Sequence, residues 1–281
     1  MTRRRALLSA LALLGAARAR ASAERPWSIG TTGVFLDDQL AFLDAWKRYI
    51  QVRVGGPVAF VQRNSYREIT ELIVTERIDF AWVCSPPYLS NRDRVRLLAI
   101  PVWRGKPLYQ SYIIVPKDDV QTRSILDLEG KIYAFSDPDS NSGWLVPQVE
   151  LKRAGKDTRS FFRKTFFTWA HRRIVEAVGS NLAQGGSIDA YVWETLDLRH
   201  PELTRRTRVA WKSAEFGFPP LIARGGIPEA DFRAFRDLLV SMPNDAEGRE
   251  LLRILNLDGF TPGRDEVFDT VAANMRFVGM E

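Results

Sequence analysis

From residue 24 onward, short β-like runs alternate with stretches whose apolar residues recur every three or four positions, the pattern of α/β architecture. Residues 27–31 read as a strand. Leu40, Leu43, Trp46 and Ile50 then mark one face of a helix, with Asp37 and Asp38 ahead of it as caps. Residues 58–62 form the next strand. Ser65 and Glu68 make a Ser-x-x-Glu capping box before Ile69, Leu72 and Ile73. Residues 79–83 are short and bulky enough for a buried strand, which Pro86 and Pro87 end.

The middle of the chain repeats the theme. It predicts strands at 131–135, 165–167 and 188–193, with helical stretches around 145–153 and 172–182. Two extended segments flank it, 109–116 and 208–223. After Pro228 the pattern is helical, through Phe232, Phe235, Leu238 and Leu239 and again through Leu251, Leu252 and Leu255. An α/β unit inserted into another predicts two lobes crossed twice by the backbone, with a cleft between them where strand ends and helix starts converge. A tandem of two domains would give a similar pattern.

Charge changes the picture mainly at the N-terminus. The formal net charge is +6, and Arg3, Arg4, Arg5, Arg18 and Arg20 precede the first acidic residue, Glu24. Setting those five aside leaves +1, so the remainder has no excess that favours nucleic acid. The basic opening, the apolar run 6–17 and Ala21-Ser22-Ala23 predict an export signal, residues 1–23, cut after Ala23. A buried N-terminal helix is the alternative, and it would have to solvate Arg18 and Arg20. The arginine pair faintly suggests the twin-arginine route as well as the general one. Cys84 is the lone cysteine and His171 and His200 the two histidines, so no disulfide and no metal-ligand spacing are expected.

Residues 136–144, Ser-Asp-Pro-Asp-Ser-Asn-Ser-Gly-Trp, follow a predicted strand and open a predicted helix. Unpaired N–H groups and the positive end of the helix dipole favour an anion there, and Ser140, Asn141 and Ser142 add side-chain donors. Gly143 would let a tetrahedral group approach the backbone. An ordinary cap and turn is the competing explanation.

This run, with Asp79-Phe80-Ala81-Trp82-Val83, the segment Gly105 to Tyr112, Phe167-Thr168 with His171, and Asp189-Ala190-Tyr191-Val192-Trp193-Glu194, resembles the periplasmic phosphonate-, phosphite- and phosphate-binding proteins of ABC importers. The similarity runs in order along the whole chain after the signal. It implies a type II periplasmic binding protein, with lobe 1 from 24–113 and 216–281 and lobe 2 from 114–215, joined by two hinge segments. It also implies that the lobes close on a small phosphorus oxyanion and deliver it to a permease in the inner membrane, with no cofactor, the protein acting as a monomer in the periplasm.

The family's Ser-Thr-Ser-Gly grip becomes Ser140, Asn141, Ser142 and Gly143. Asn141 departs from it, because an amide brings a carbonyl as well as donors. His171 matches the family's site histidine, with Thr168 as the N-cap that puts it in a first helical turn, where the dipole favours the neutral ring. Glu194 falls where the family carries an acid for a ligand's amino group. Beside an anion it would need a proton or ammonium between them. Tyr66, Tyr88 and Tyr112 are candidate phenols around the cleft, since Tyr offers a neutral donor on an apolar wall. His200 reads as a surface residue. A sensor subunit for a membrane kinase is the alternative function. A hydrolase built from Ser142, His171 and Glu194 is weaker, because Gly-x-Ser-x-Gly is absent.

Overall fold

The computed structural model describes residues 26–32 and 40–280. The predicted export signal and the caps at Asp37 and Asp38 lie outside them. Two sheets carry the fold. The first has the order β13-β4-β12-β3-β1-β2, with β1 Trp27–Thr32, β2 Val58–Arg63, β3 Phe80–Trp82, β4 Val95–Val102, β12 Leu221–Arg224 and β13 Gly259–Pro262. β1 pairs in parallel with β2 and β3, while β12 and β13 run antiparallel to β4. The second sheet has the order β10-β6-β9-β7-β8, with β6 Ser111–Pro116, β7 Ile132–Phe135, β8 Lys164–Phe167, β9 Gly185–Asp189 and β10 Thr207–Lys212. β7 is parallel to β8 and β9.

Periodicity explains how helices cover these sheets. In the helix Leu40–Val54, Phe42, Leu43, Trp46, Tyr49 and Ile50 are buried at spacings of three and four, and Trp46 meets Phe60 and Trp82. Removing one such side chain from water contributes about 1.5–3 kcal/mol. The second lobe has its own aromatic core, where Tyr133, Phe135 and Phe162 pack together beside Trp144.

The backbone crosses between sheets twice, and the crossings pair with each other. β5 Leu108–Tyr109 links β4 to β6, and β11 Phe216–Gly217 links β10 to β12. The two form a short antiparallel ribbon. Two crossings exclude a tandem and give the two-lobed, two-hinge α/β fold. Gly217 is required there, since a Cβ would lie 2.7 Å from the Val267 carbonyl oxygen.

Several elements differ from their sequence-based expectation. The strand expected at 188–193 ends at Asp189, and Ala190–Arg199 is helical because the Asp189 carboxylate accepts from the Tyr191 and Val192 N–H groups and caps it. The tail contains β13 between its helices. β6 lies wholly in the second sheet, so a division between 113 and 114 falls inside a strand.

Candidate functional site

The parallel strands of both sheets end at one junction. β1 ends in Thr31 and Thr32, β2 leads through Ser65 to Tyr66, and β3 leads to Cys84. From the other lobe, β7 leads into Ser136 to Gly143, β8 to Thr168 and His171, and β9 ends in Asp189. Carboxyl ends of strands are where α/β sheets gather ligand-binding groups.

Hydrogen bonds hold the lobes together there. The Tyr66 N–H donates to Asp137 Oδ2 at 3.1 Å, and the Asn141 N–H donates to Cys84 Sγ at 3.2 Å. Asn141 Nδ2 donates to the hydroxyl of Tyr109, in the hinge, at 3.0 Å. Arg67 and Asp139 add an exposed ion pair at 3.6 Å.

The serine-rich turn begins with Ser140, whose Oγ accepts from the Gly143 N–H at 3.0 Å. Asn141–Leu145 forms one π-helical turn that runs directly into the helix Val146–Arg153. Such turns are rare and concentrate at functional positions. A Cβ on Gly143 would sit 1.8 Å from Ser136 Oγ, so the glycine accommodates a neighbouring serine. This is a second reason for a glycine here, beside the close approach of a ligand expected from the sequence.

Polar atoms here are buried and incompletely paired. Ser136 Oγ, Asn141 Oδ1, Ser142 Oγ and Asp189 Oδ2 make no hydrogen bond of good geometry with any described residue, the Tyr109 hydroxyl being near Ser142 Oγ without one, and neither do Thr31 Oγ1 and Thr32 Oγ1 at the end of β1. All six residues are buried. Leaving such an atom unsatisfied costs about 1–3 kcal/mol, so native proteins seldom keep them, and still less at one place. The site's formal positive charge is small. Among the described residues no lysine or arginine is buried.

His171 begins the helix His171–Gly179 and is buried. Thr168 does not cap it. Its hydroxyl donates to the carbonyls of Ala170 and Phe135, and Ala170 occupies the cap position with no side-chain bond. Trp169 between them has φ +61°, an uncommon conformation for a bulky residue. His171 Nδ1 accepts the Asp189 N–H at 3.3 Å, which places the imidazole proton on Nε2 as a donor. Burial pushes its pKa down to about 3, so the ring is neutral.

The two acids of the junction move the other way. Burial raises Asp137 to about 6, against the lowering effect of N–H groups from Asp139 and Tyr66. Burial raises Asp189 to about 8, with only the Val192 and Tyr191 N–H groups opposing it. Cys84 is likewise pushed up to about 12 by burial, and its thiol is protonated.

The structure therefore brings together Ser140, Asn141, Ser142, Gly143, His171 and Tyr66. Tyr88, Tyr112 and Glu194 are engaged by other partners. The Tyr88 hydroxyl bonds Asp265 while its ring packs on Phe268. The Tyr112 hydroxyl donates to Glu194 Oε1 at 2.6 Å, and the other Glu194 oxygen pairs with Arg104. Both Glu194 oxygens are thus engaged, by Tyr112 and by Arg104. His200, partly exposed, approaches Glu202 at 3.4 Å. Sequence reasoning missed Thr31, Thr32, Cys84, Tyr109, Ser136 and Asp189. Of these, Ser136 lay in the serine-rich run already singled out, while Asp189 was hidden in a run that reads as a strand. No group of described residues has the makeup of a metal site, and no described helix is long and apolar enough to cross a membrane.

Residues 35–268 match the family model described as "ABC transporter, phosphonate, periplasmic substrate-binding protein". The chain is similar to the phosphate-import protein PhnD of Mycolicibacterium smegmatis, 28% identical over 63% of this chain and 59% of that protein, so the match spans under two thirds of the relative. Its fold is similar to that of a binding-protein component of an ABC phosphonate transporter from Pseudomonas aeruginosa, with TM-score 0.83, 21% identity and coverage of 91% of this chain and 87% of that one. It is also similar to PhnD1 of Prochlorococcus marinus in complex with methylphosphonate, with TM-score 0.80, 17% identity and coverage of 91% and 98%. With most of its length matched, this chain belongs to the family of periplasmic substrate-binding proteins of phosphonate ABC transporters.

Proposed function

We propose that this protein is exported by residues 1–23 and captures a small phosphorus oxyanion, a phosphonate, phosphite or phosphate, between its lobes for delivery to an inner-membrane permease. It acts as a monomeric binding protein without catalysis. The lobes are those built on the two sheets, turning about the β5–β11 ribbon. Supporting this reading above all is the set of buried, unpaired polar atoms at a helix start where strand ends from both lobes meet. Ser142 and Ser136 hydroxyls, Thr31, Thr32 and the neutral His171 are donors for a tetrahedral anion, and the open start of the Asn141 turn adds its dipole. Closure follows from differential affinity, since the two halves of this donor set complete each other only when the lobes meet.

Thermal-shift titration of the purified protein against methylphosphonate, phosphite and phosphate tests it. At least one should raise Tm by several degrees. Ser142→Ala and His171→Ala should each remove most of that rise, weakening binding by about ten- to a hundredfold per lost charge-assisted bond. A rise unchanged in both variants would refute the site.

A further inference from the structure

Asp189 is an acid of the junction with a buried oxygen that nothing described engages. Its Oδ1 caps the helix Ala190–Arg199, accepting from Tyr191 N–H at 2.8 Å and Val192 N–H at 3.3 Å. Its Oδ2 is buried and makes no hydrogen bond with a described residue. The cap fixes the carboxyl's orientation, so Oδ2 is held in place without being used. Asp189 is paired in register with Ser111, whose hydroxyl donates to the Ser142 carbonyl at 2.7 Å, so it lies directly beside the serine turn.

Every titratable neighbour is neutral or acidic. His171 from its helix presents Nδ1 to the Asp189 N–H and is uncharged. Tyr112 on β6, Tyr133 on β7, Tyr191 on the capped helix, and Tyr66, Tyr109 and Cys84 facing from the other lobe and the hinge all have pKa values raised first by burial. Glu194, on the same helix, is held by Arg104 and Tyr112. Asp137 lies across the junction, bonded to Tyr66 N–H. A carboxylate and an oxyanion cannot share this enclosure as two bare anions, because their repulsion is large where water is excluded. One proton between them turns repulsion into a short, strong hydrogen bond.

Resting on the phosphorus-oxyanion reading above, we propose that Asp189 is the specificity-determining residue of the site, sharing one proton with a ligand oxygen. It thereby favours phosphonate, phosphite and phosphate, whose oxygens are basic enough to hold the shared proton near neutrality, over sulfonate and sulfate, whose oxygens accept it only weakly. The burial that raises Asp189 to about 8 is consistent with a carboxyl that carries the proton itself when the ligand arrives as a dianion. Phosphate-type groups have a second ionisation at about 6, so through the neutral range Asp189 carries the proton to a dianionic ligand. Above pH 8 both partners are ionised and binding must take a proton from solvent.

Asp189→Asn tests this, since asparagine keeps the cap through its carbonyl and replaces Oδ2 with a fixed donor. Titrations with methylphosphonate and with methanesulfonate, its unprotonated analogue, run from pH 6 to 9.5. In the wild type, affinity for methylphosphonate should fall about tenfold per pH unit above 8, the slope of one-proton uptake. Methanesulfonate should bind about a hundredfold more weakly, a gap of about 2.7 kcal/mol. The variant should lose the slope above pH 8 and narrow that gap to within about tenfold. Should the variant not fold, calorimetry on the wild type at pH 9 in two buffers of different ionisation enthalpy reads the same proton, one taken up per methylphosphonate bound. Wild-type slope and selectivity persisting in the variant, or zero uptake in calorimetry, overturns the role of Asp189 alone. No binding of methylphosphonate, phosphite or phosphate by the wild type overturns the ligand reading, and this inference with it.

Discussion

Two helix starts face each other where the lobes meet, one at Ser65 and one at Ser140, and they are finished differently. At the first, Ser65 Oγ accepts the Glu68 N–H at 3.3 Å while the Glu68 carboxylate takes the Ser65 N–H at 3.2 Å, a reciprocal box with its polar atoms closed. The Tyr66 N–H left over is met by Asp137 from the opposite lobe. At the second, Ser140 caps Gly143, but the hydroxyls of Ser136 and Ser142 and the Asn141 carbonyl oxygen are buried without described partners. Both starts are built from small polar residues. What separates the two starts is the unpaired remainder, which is uncommon for buried groups and which, on the proposed function, a ligand completes.

The largest expected effect comes from forcing the second start to close. Gly143→Ala would place a methyl 1.8 Å from Ser136 Oγ and 2.7 Å from its Cβ. Overpacking of this kind costs about 1–3 kcal/mol, and the turn would shift enough to disable its donors. Adding Ser136→Gly removes both clashing atoms, so the double variant should recover most of the melting temperature. A single variant that melts like the wild type would show that the turn has room the geometry denies.

A smaller effect sharpens the contrast directly. Ser65→Ala breaks a completed box and should destabilise the protein by about 1 kcal/mol while leaving methylphosphonate affinity nearly unchanged. Ser142→Ala deletes a hydroxyl with no described partner, so chemical denaturation without ligand should move by less than about 0.5 kcal/mol. The reverse ranking would mean that Ser142 has a structural bond and Ser65 does not.

The same comparison shows what was legible beforehand. The Ser65 box and the Ser140 start are local, made of residues within a few positions of each other, and both stand out in the sequence. The two-lobed fold was legible too, through alternating periodicities and the inserted middle. Asp189 was visible only as part of an apparent strand at 188–193, since Ile188, Tyr191, Val192 and Trp193 favour strands until the Asp189 cap starts a helix. Glu194 was chosen over it because position within a motif says nothing about which carboxylate already holds Arg104. Thr31, Thr32 and Cys84 enter the site only through strand order in the first sheet, a non-local property that no window of sequence displays. Gly143 stood out in the sequence, but the neighbour it makes room for, Ser136, did not.

The smallest effect concerns charge at the second start. His171 stands at the opening of its helix and donates no cap there, and burial holds it neutral with a pKa of about 3. The unfolded chain protonates this ring near 6.5, so the neutral ring's contribution is present above that pH and is lost as pH falls from 6.5 toward 3. Asp137 and Asp189 act oppositely. Their raised values favour the folded state at low pH and lose that support as pH rises through about 6 and about 8. The wild-type profile mixes these terms, and the difference between wild type and His171→Gln separates them. Glutamine can still accept the Asp189 N–H but cannot titrate. Between pH 7.5 and 6.0 the wild type should lose about 0.8 kcal/mol relative to the variant. Urea denaturation at the two pH values measures this. A difference independent of pH would mean that the ring is charged or exposed in the folded protein, and His171 would then be a cation at the proposed anion site rather than the neutral donor its burial implies.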